Sequence, residues 1–334
     1  MPQREEIKMV QSRRMFLKLA AASPLLRPHP LWAQSADYPN RAIHSICMFP
    51  PGTGADIFVR YYSRKLQELA GQPIVVESKV GAAGNLATEF VARSKPDGYT
   101  IFIAPASTVV APARLLFKQL NYDPDKDLQS VALLATIPFI LFVAGDSPIK
   151  SVADLVEALR QKGDKGSYGS STTVGQVCSE LFKAQFGLKT VEVKYRDGLA
   201  GLNELMSHQL DFYFADPATT KAMVADGRLR PLMITSARRN SSLPHIPSTT
   251  DVGVSGMDMS FWWSVHVPTG TPKPIVDKLA GWFDQFALSD ETKAFLTTYG
   301  AEPLQGDAAA VDSLMAQERG KWVDYVRIAK IEPQ

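Results

Sequence analysis

The sequence has 334 residues and is 45% hydrophobic, which is enough chain for two globular domains, each with a buried core. The formal net charge is +2, but residues 1–34 contain six Lys/Arg and two Glu, so the remaining chain carries about −2. No basic stripe or run remains beyond this segment. The composition therefore argues against a nucleic-acid-binding surface.

The N-terminal segment has the pattern of an export signal. Residues 12–18 read Ser-Arg-Arg-Met-Phe-Leu-Lys, and the apolar run 19–26, interrupted by Pro24, is too short to span a membrane. This order is typical of a twin-arginine signal, although a chance basic amphipathic N-terminus is the alternative. We expect residues 1–36 to be a signal peptide that directs the protein to the periplasm. No later segment reaches 18 apolar residues, so no stable membrane insertion is expected.

From residue 41 onward the hydrophobic pattern alternates between strands and helices. The predicted strands are Ala42–Phe49, Ile74–Glu77, Thr100–Ala104, Phe139–Ala144, Tyr168–Ser170, Val191–Tyr195, Leu210–Ala215, Leu229–Thr235 and Met259–Val267. The predicted helices are Asp56–Ala70, Gly84–Ser94, Ser151–Gln161, Gly175–Phe186, Leu199–Ser207, Ala218–Ala225, Pro274–Phe286, Glu291–Tyr299 and Ala308–Ala329.

Such alternation predicts α/β domains with largely parallel sheets. The chain shows no internal sequence repeat and no linker of low complexity, so one domain is expected to be inserted into the other. We predict a discontinuous first domain of residues 37–139 and 248–334. The inserted second domain then comprises residues 140–247.

Three polar loops follow predicted strands and precede helices: residues 49–56, 80–85 and 168–173. They offer glycines, free backbone N–H groups and hydroxyls, and open α/β sheets bind ligands at this end of their strands. Neither Gly-x-Gly-x-x-Gly nor Gly-x4-Gly-Lys-Ser/Thr is present, which argues against a nucleotide. Backbone donors at helix starts suit a carboxylate. A tight turn in which Asp56 caps the helix is the structural alternative for the first loop.

These loops and several other motifs resemble the tripartite tricarboxylate transporter receptors, the Bug family of periplasmic solute-binding proteins. The motifs include Phe49-Pro-Pro-Gly, Gly81-Ala-Ala-Gly-Asn, Pro96-Asp-Gly-Tyr-Thr, Tyr122-Asp-Pro, Tyr168-Gly-Ser and Gly227-Arg-Leu-Arg, and they keep the order and spacing of the family. The chain departs from the family pattern in its Gly52-Thr-Gly loop, in a shorter third loop and in Ala215.

The resemblance implies a fold similar to type II periplasmic binding proteins, with two α/β domains and a ligand cleft between them. It implies capture of a small organic carboxylate (a di-, tri- or aromatic acid) by domain closure, and delivery to membrane transporter subunits. We also expect a monomer with no catalytic residues, metal or cofactor. The ligand-binding residues carried over from the family are Pro51, Gly52, Thr53, Gly54, Asn85, Ser107, Ser170, Ser171, Thr172, Tyr195 and Asp216.

Several residues have two interpretations. Arg196 is able to clamp a carboxylate or to pair with Asp197 or another acid at the surface. Trp262 and Trp263 are adjacent in a strand, so at most one should face the cleft, and packing is the expected role of both. Cys47 and Cys178 are interpreted as buried thiols, with a disulfide left open.

Two other functions remain open at this stage. A sensor would present the bound solute to a signalling partner instead of a transporter. An exported enzyme is the third hypothesis, but none of the five histidines lies in a recognisable nucleophile or metal motif.

Overall fold

The computed structural model describes residues 38–255 and 257–333, so the predicted export signal lies outside the described residues. The strands are β1 (Ile43–Cys47), β2 (Ile74–Ser78), β3 (Thr100–Ala104), β4 (Leu128–Pro138), β5 (Ile140–Ala144), β6 (Ser167–Ser170), β7 (Val191–Lys194), β8 (Phe212–Ala215), β9 (Leu229–Ile234), β10 (Ser260–Pro268) and β11 (Glu302–Pro303). The helices are α1 (Gly54–Ala70), α2 (Asn85–Ala92), α3 (Ala106–Val109), α4 (Ala113–Leu116), α5 (Val152–Lys162), α6 (Thr173–Phe186), α7 (Gly198–Met206), α8 (Pro217–Ala225), α9 (Lys273–Ala287), α10 (Asp290–Thr297) and α11 (Ala308–Ile328).

Two sheets organise these elements. The first has the strand order β11-β4-β10-β3-β1-β2, and the second has the order β7-β6-β8-β5-β9. We call each sheet with its flanking helices the first lobe and the second lobe. Within each lobe three neighbouring strands are parallel. One strand, β10 or β5, runs against both of its neighbours, and in the first sheet the short strand β11 also runs against β4. The expectation of two α/β domains is confirmed. The expectation of largely parallel sheets is wrong, because five of the nine strand pairings among the described residues are antiparallel.

The chain crosses from the first sheet to the second within one residue. β4 ends at Pro138 and β5 begins at Ile140, so Phe139 is the junction. The return runs from the end of β9 to the start of β10, and Thr235 joins the two crossings. Its hydroxyl accepts from the amide of Phe139 (2.9 Å) and donates to the carbonyl of Met259 (2.7 Å). Its backbone bonds the same two residues.

Each predicted element is present with ends that differ by at most two residues. The prediction missed β4, the short helices α3 and α4, and the two-residue strand β11. The failure to predict β4 is important because this strand is 11 residues long and leads into the first crossing between the sheets. Six consecutive residues of β4, from Ser130 to Ala135, are buried, so its sequence lacks the alternation that marks a half-exposed strand.

The C-terminal helix α11 packs on both lobes. It contacts β4 of the first sheet and α6 of the second lobe. Near its middle the indole Nε1 of Trp322 donates to the carbonyl of Ser107 (2.7 Å). Trp322 and Tyr325 belong to the same buried cluster as Phe182 and Phe214 of the second lobe. The residues from Pro39 onward accordingly form one compact unit.

Gly145, directly after β5, lies very close to the backbone that precedes β9. A Cβ atom at Gly145 would lie 1.8 Å from the carbonyl oxygen of Gly227, which belongs to backbone and cannot rotate away. We expect Gly145→Ala to lower the free energy of unfolding by about 3 kcal/mol or more in urea denaturation. Gly281→Ala, within α9 and with nothing within 4 Å of the added Cβ, is the control and should not destabilise. Equal stability of both variants would contradict the close approach of β5 to the residues before β9.

Candidate ligand-binding site

The three predicted loops lie at facing edges of the two sheets. The first two loops follow β1 and β2, which are parallel, so both emerge at one edge of the first sheet. The third loop follows β6, and the turns after β7 and β8 share its edge because these three strands are parallel. β4 ends at the same edge as β1 and β2, and β5, which runs against β8, begins at the edge where β6 and β8 end. Because only Phe139 separates β4 from β5, the two edges are adjacent.

The first loop is held by its own side chains. Thr53, not Asp56, is the N-cap of α1: its hydroxyl accepts from the amide of Asp56 (3.2 Å) and donates to the carbonyl of Pro50 (2.9 Å). Asp56 in turn accepts from the amide of Gly52 (2.9 Å). The predicted ligand donors Gly52 and Thr53 therefore have internal partners. The amides of Gly54 and Ala55, in the first turn of α1, have no intrahelical acceptor and are the groups left for an anion.

Asp56 is buried, and its charge is balanced within the loop. Burial alone would raise the pKa of Asp56, but the hydrogen bonds from Arg60 (2.8 Å) and from Gly52 outweigh it, so the pKa is lowered. Cys47 lies beside this pair, and burial raises the pKa of its thiol. Cys47 and Cys178 are both free and buried, as interpreted from the sequence. Asp56 thus fixes the start of α1 through its Oδ2, which also pairs with Arg60, while its Oδ1 is buried without a hydrogen-bond partner among the described residues.

The second loop has an unusual backbone. Four consecutive residues, Gly81 to Gly84, have positive φ, including Ala82 (45°) and Ala83 (49°). Residues with side chains adopt this conformation at a cost of about 1–2 kcal/mol each, and such strain concentrates at functional sites. The loop delivers Asn85 to the first position of α2, where its Oδ1 is buried and lacks a hydrogen-bond partner among the described residues.

Ser107, a predicted ligand-binding residue, lies in the core and bonds the backbone of β10. It is fully buried, and its hydroxyl accepts from the amide of Trp262 (3.0 Å) and donates to the carbonyl of the same residue (3.2 Å). The backbone carbonyl of Ser107 accepts a hydrogen bond from the indole of Trp322. Ser107 thereby joins α3 to β10 and α11, and its hydroxyl is occupied by backbone.

The third loop also carries partnered hydroxyls. Ser170 is buried and donates to Glu192 (2.5 Å), whereas Ser171 is partly exposed and accepts from the hydroxyl of Tyr213 (2.8 Å). Thr172 is exposed and is the N-cap of α6, accepting from Gly175 (3.0 Å). Like α1, helix α6 has a neutral hydroxyl cap, so its free first-turn amides are available to an anion.

Tyr195 and Asp216 lie at the same edge of the second sheet. The amide of Tyr195 donates to the carbonyl of Ser170 (2.8 Å), and its hydroxyl bonds Glu204. Asp216 is the N-cap of α8 and accepts from the amide and hydroxyl of Thr219 (2.8 and 2.7 Å). A carboxylate cap opposes a bound anion, so α8 is a poorer carboxylate site than α1 or α6.

The starts of α1 and α8 meet across the lobes. A Cβ atom at Gly54 would lie 3.6 Å from Cβ of Ala218, which is an ordinary contact. Beside this contact Lys221 of α8 donates to the carbonyl of Thr298 (3.2 Å) after α10. The structure therefore brings one predicted residue, Gly54, next to the start of α8, which Asp216 caps. Pro51 is exposed, and Ser107 is buried.

Two polar groups at the first-lobe edge were missed from the sequence. Ser78 ends β2 and Trp262 lies near the start of β10; Ser78 Oγ and Trp262 Nε1 are buried without a hydrogen-bond partner in the described part of the chain. A polar residue closing a strand before a glycine loop was the available signal for Ser78. The indoles behave as predicted: Trp263 packs on Phe58 (ring centroids 4.5 Å apart), and Trp262 joins the cluster of Trp322.

A serine–histidine contact lies in the middle of β10. Ser264 Oγ is 2.8 Å from Nε2 of His266 in β10, and both side chains are buried, so Ser264 is closed to a dissolved substrate. Within residues 38–255 and 257–333 no group of three or more His, Cys, Asp or Glu is placed to hold a metal ion. No helix in the described ranges has the length and apolar character that crossing a membrane requires.

His266 predicts a pH dependence of stability. Burial, aided by Arg319, lowers its pKa from 6.5 to about 4. Above pH 6.5 the histidine is neutral in both the folded and the unfolded protein. Below pH 6.5 the unfolded chain binds the proton first, so the free energy of unfolding falls as the pH drops towards 4. We expect a loss of about 2–3 kcal/mol between pH 7.5 and 4.5, measured by urea denaturation. His266→Gln should flatten this slope and the surface variant His208→Gln should not; parallel slopes in all three proteins would refute the role of His266.

The fold and the facing strand-end loops define a periplasmic binding protein of type II, with two α/β domains around a ligand cleft. The sequence profile described as the tripartite tricarboxylate transporter family receptor matches residues 58–330, so the chain belongs to that family. This is the family predicted from the motifs. The matched range begins just after the first loop.

Solved structures agree with this assignment. The chain is similar to R. palustris Rpa4515 with adipate, at 31% identity and a TM-score of 0.79, covering 89% of this chain and 100% of that one. The periplasmic binding protein BugD shares 26% identity with a TM-score of 0.75, over 89% and 100% of the two chains. MatC from Rhodopseudomonas palustris with bound malate shares 25% identity with a TM-score of 0.73, over 86% and 100%.

Proposed function

We propose that this protein is a periplasmic receptor that captures a small organic carboxylate between its lobes and delivers it to a tripartite tricarboxylate-type transporter. The observation that carries the proposal is the meeting of α1 with the second lobe, where the amides of Gly54 and Ala55 lack intrahelical acceptors beside Ala218. Charge-assisted bonds from such donors contribute about 1.5–3 kcal/mol each. A few of them reach micromolar affinity after the cost of association.

We assign residues 140–247 to the inserted domain and expect closure to turn about Phe139 and Thr235. The remaining parts of the proposal concern export and oligomeric state: residues 1–36 as a twin-arginine signal, and a monomer in solution. Two related proteins were solved with adipate and malate, which makes dicarboxylates the first ligands to test.

The experiment is a thermal-shift screen of organic acids followed by calorimetry and small-angle scattering. A ligand should raise the melting temperature progressively with its concentration, and it should stabilise the folded protein by about 2.7 kcal/mol at one hundred times its Kd. Scattering should show compaction with the same ligand, and NMR should show that the ligand is chemically unchanged. Turnover of the ligand would indicate an enzyme, and binding without uptake by vesicles that contain the transporter subunits would favour a sensor.

A further inference from the structure

Arg196 is an exposed cation of the second lobe for which the sequence left two roles open, a carboxylate clamp or a surface ion pair. It follows Tyr195 directly after β7, so it lies at the strand-end edge that carries Ser170 and Ser171. Its side chain is exposed. In the part of the chain that the structure describes, it makes no ion pair and no side-chain hydrogen bond, and in particular none with Asp197.

The acidic groups around Arg196 already have partners. Asp197 caps α7 and accepts from the amide of Leu199 (3.0 Å). Glu192 accepts from Ser170 and from Gln176 (3.2 Å), and Glu204 accepts from Tyr195. The guanidinium of Arg196 therefore remains free to bind a carboxylate from outside the chain.

Carboxylates outnumber cations around Arg196. Four carboxylates lie at or beside this edge of the second sheet: Glu192, Asp197, Glu204 and Asp216. The cations there are Arg196 and Lys194, whose ammonium is 3.8 Å from Glu192. A ligand carboxylate that approached this lobe would be repelled unless a cation met it. An arginine meets a carboxylate with two parallel N–H donors, which no lysine reproduces.

We propose that Arg196 is a specificity-determining residue that binds the second carboxylate of a linear dicarboxylate. The first carboxylate is held at the start of α1 in the first lobe, and the ligand spans the cleft to Arg196. The inference rests on the proposed function, because it assigns the far end of the same ligand. It also explains how a ligand can link the lobes, since each lobe then binds one end of it.

The test compares dicarboxylates with monocarboxylates of equal chain length: succinate with butyrate, glutarate with pentanoate, and adipate with hexanoate. Affinities are measured by calorimetry for the wild type, Arg196→Gln and Arg196→Lys. Arg228→Gln is the matched control, because Arg228 is exposed, has no side-chain partner among the described residues and lies before β9 at the opposite edge.

We expect the wild type to bind at least one dicarboxylate more tightly than its monocarboxylate. Arg196→Gln should weaken that dicarboxylate about tenfold or more and leave the monocarboxylate unchanged, Arg196→Lys should recover only part of the loss, and Arg228→Gln should match the wild type. Equal losses for both acids, or none for the dicarboxylate, would overturn the role of Arg196 while the proposed function stands. Binding of no carboxylate by the wild type would overturn both.

Discussion

Gly54→Glu is expected to weaken carboxylate binding about a hundredfold while leaving the protein folded. The new carboxylate stands at the first helical position of α1, within about 5 Å of a ligand carboxylate bound to the first-turn amides. At an effective dielectric constant near 20 this repulsion is about 3 kcal/mol. The fold should tolerate the change because an acidic residue in the first turn stabilises a helix by about 0.3–1 kcal/mol.

Two control variants separate charge from shape at Gly54. Gly54→Ala adds a Cβ that makes only ordinary contacts with Ala218 and Tyr299, so affinity should change little. Gly54→Gln has nearly the shape of the Glu variant without its charge, so the difference between the two isolates electrostatics and should shrink at high salt. If Gln weakens binding as much as Glu does, the start of α1 meets the ligand sterically and is not its anion site.

The succession of elements was predictable because most of them carry local signals. Helix α1 places Phe58, Tyr62 and Leu66 on one buried face and ends at Gly71, whose φ is 66°. Ser151 is the N-cap of helix α5 and accepts from the amide of Asp154, and the carboxylate of Asp154 accepts from the amide of Lys150. Such periodicities and caps are fixed within a few residues, so they can be recognised without knowing the rest of the fold.

The arrangement of the strands was less accessible. Apart from the added strand β11 of the first sheet, the two sheets have the same order of strands, although the sequence shows no repeat. The reversed strands β5 and β10 are the ones that enter each sheet from the other lobe. Their direction depends on where the chain crosses between the sheets, and the first crossing follows β4, which was not predicted. A strand buried on both faces differs little in pattern from a buried helix.

The sequence predicted which loops form the site. It did not predict which polar groups in those loops lack a hydrogen-bond partner within the protein. Strand-end position alone found the loops of Gly54, Asn85 and Ser171. It did not show that Thr53 caps α1, although the Thr-x-x-Asp spacing was available as a capping signal. Ser107 depends on a partner 155 residues away, and no local pattern reveals such a contact. The same applies to Arg196, whose freedom follows from the bonds that its neighbours make.

Thr235→Val is expected to lower the free energy of unfolding by about 2–4 kcal/mol. Valine keeps the shape of the buried threonine but removes the hydroxyl, so the amide of Phe139 and the carbonyl of Met259 lose their partner together. A buried polar group left unpaired costs about 1–3 kcal/mol. Thr235→Ser keeps both bonds and removes one methyl group, so it should lose only about 1 kcal/mol in the same urea denaturation experiment.

The same variant tests whether Thr235 joins the lobes during closure. Its two partners, Phe139 and Met259, lie where the chain leaves one sheet and enters the other, so the hydroxyl fixes the relative path of both crossings. We expect Thr235→Val to bind its carboxylate more weakly and to show less compaction in scattering than Thr235→Ser at saturating ligand. The added contact of α11 with both lobes limits the rotation to a small angle, because α11 packs on β4 and α6 at once. Full wild-type compaction in the Val variant, with its stability loss present, would assign Thr235 to folding alone and move the pivot of closure to another part of the junction.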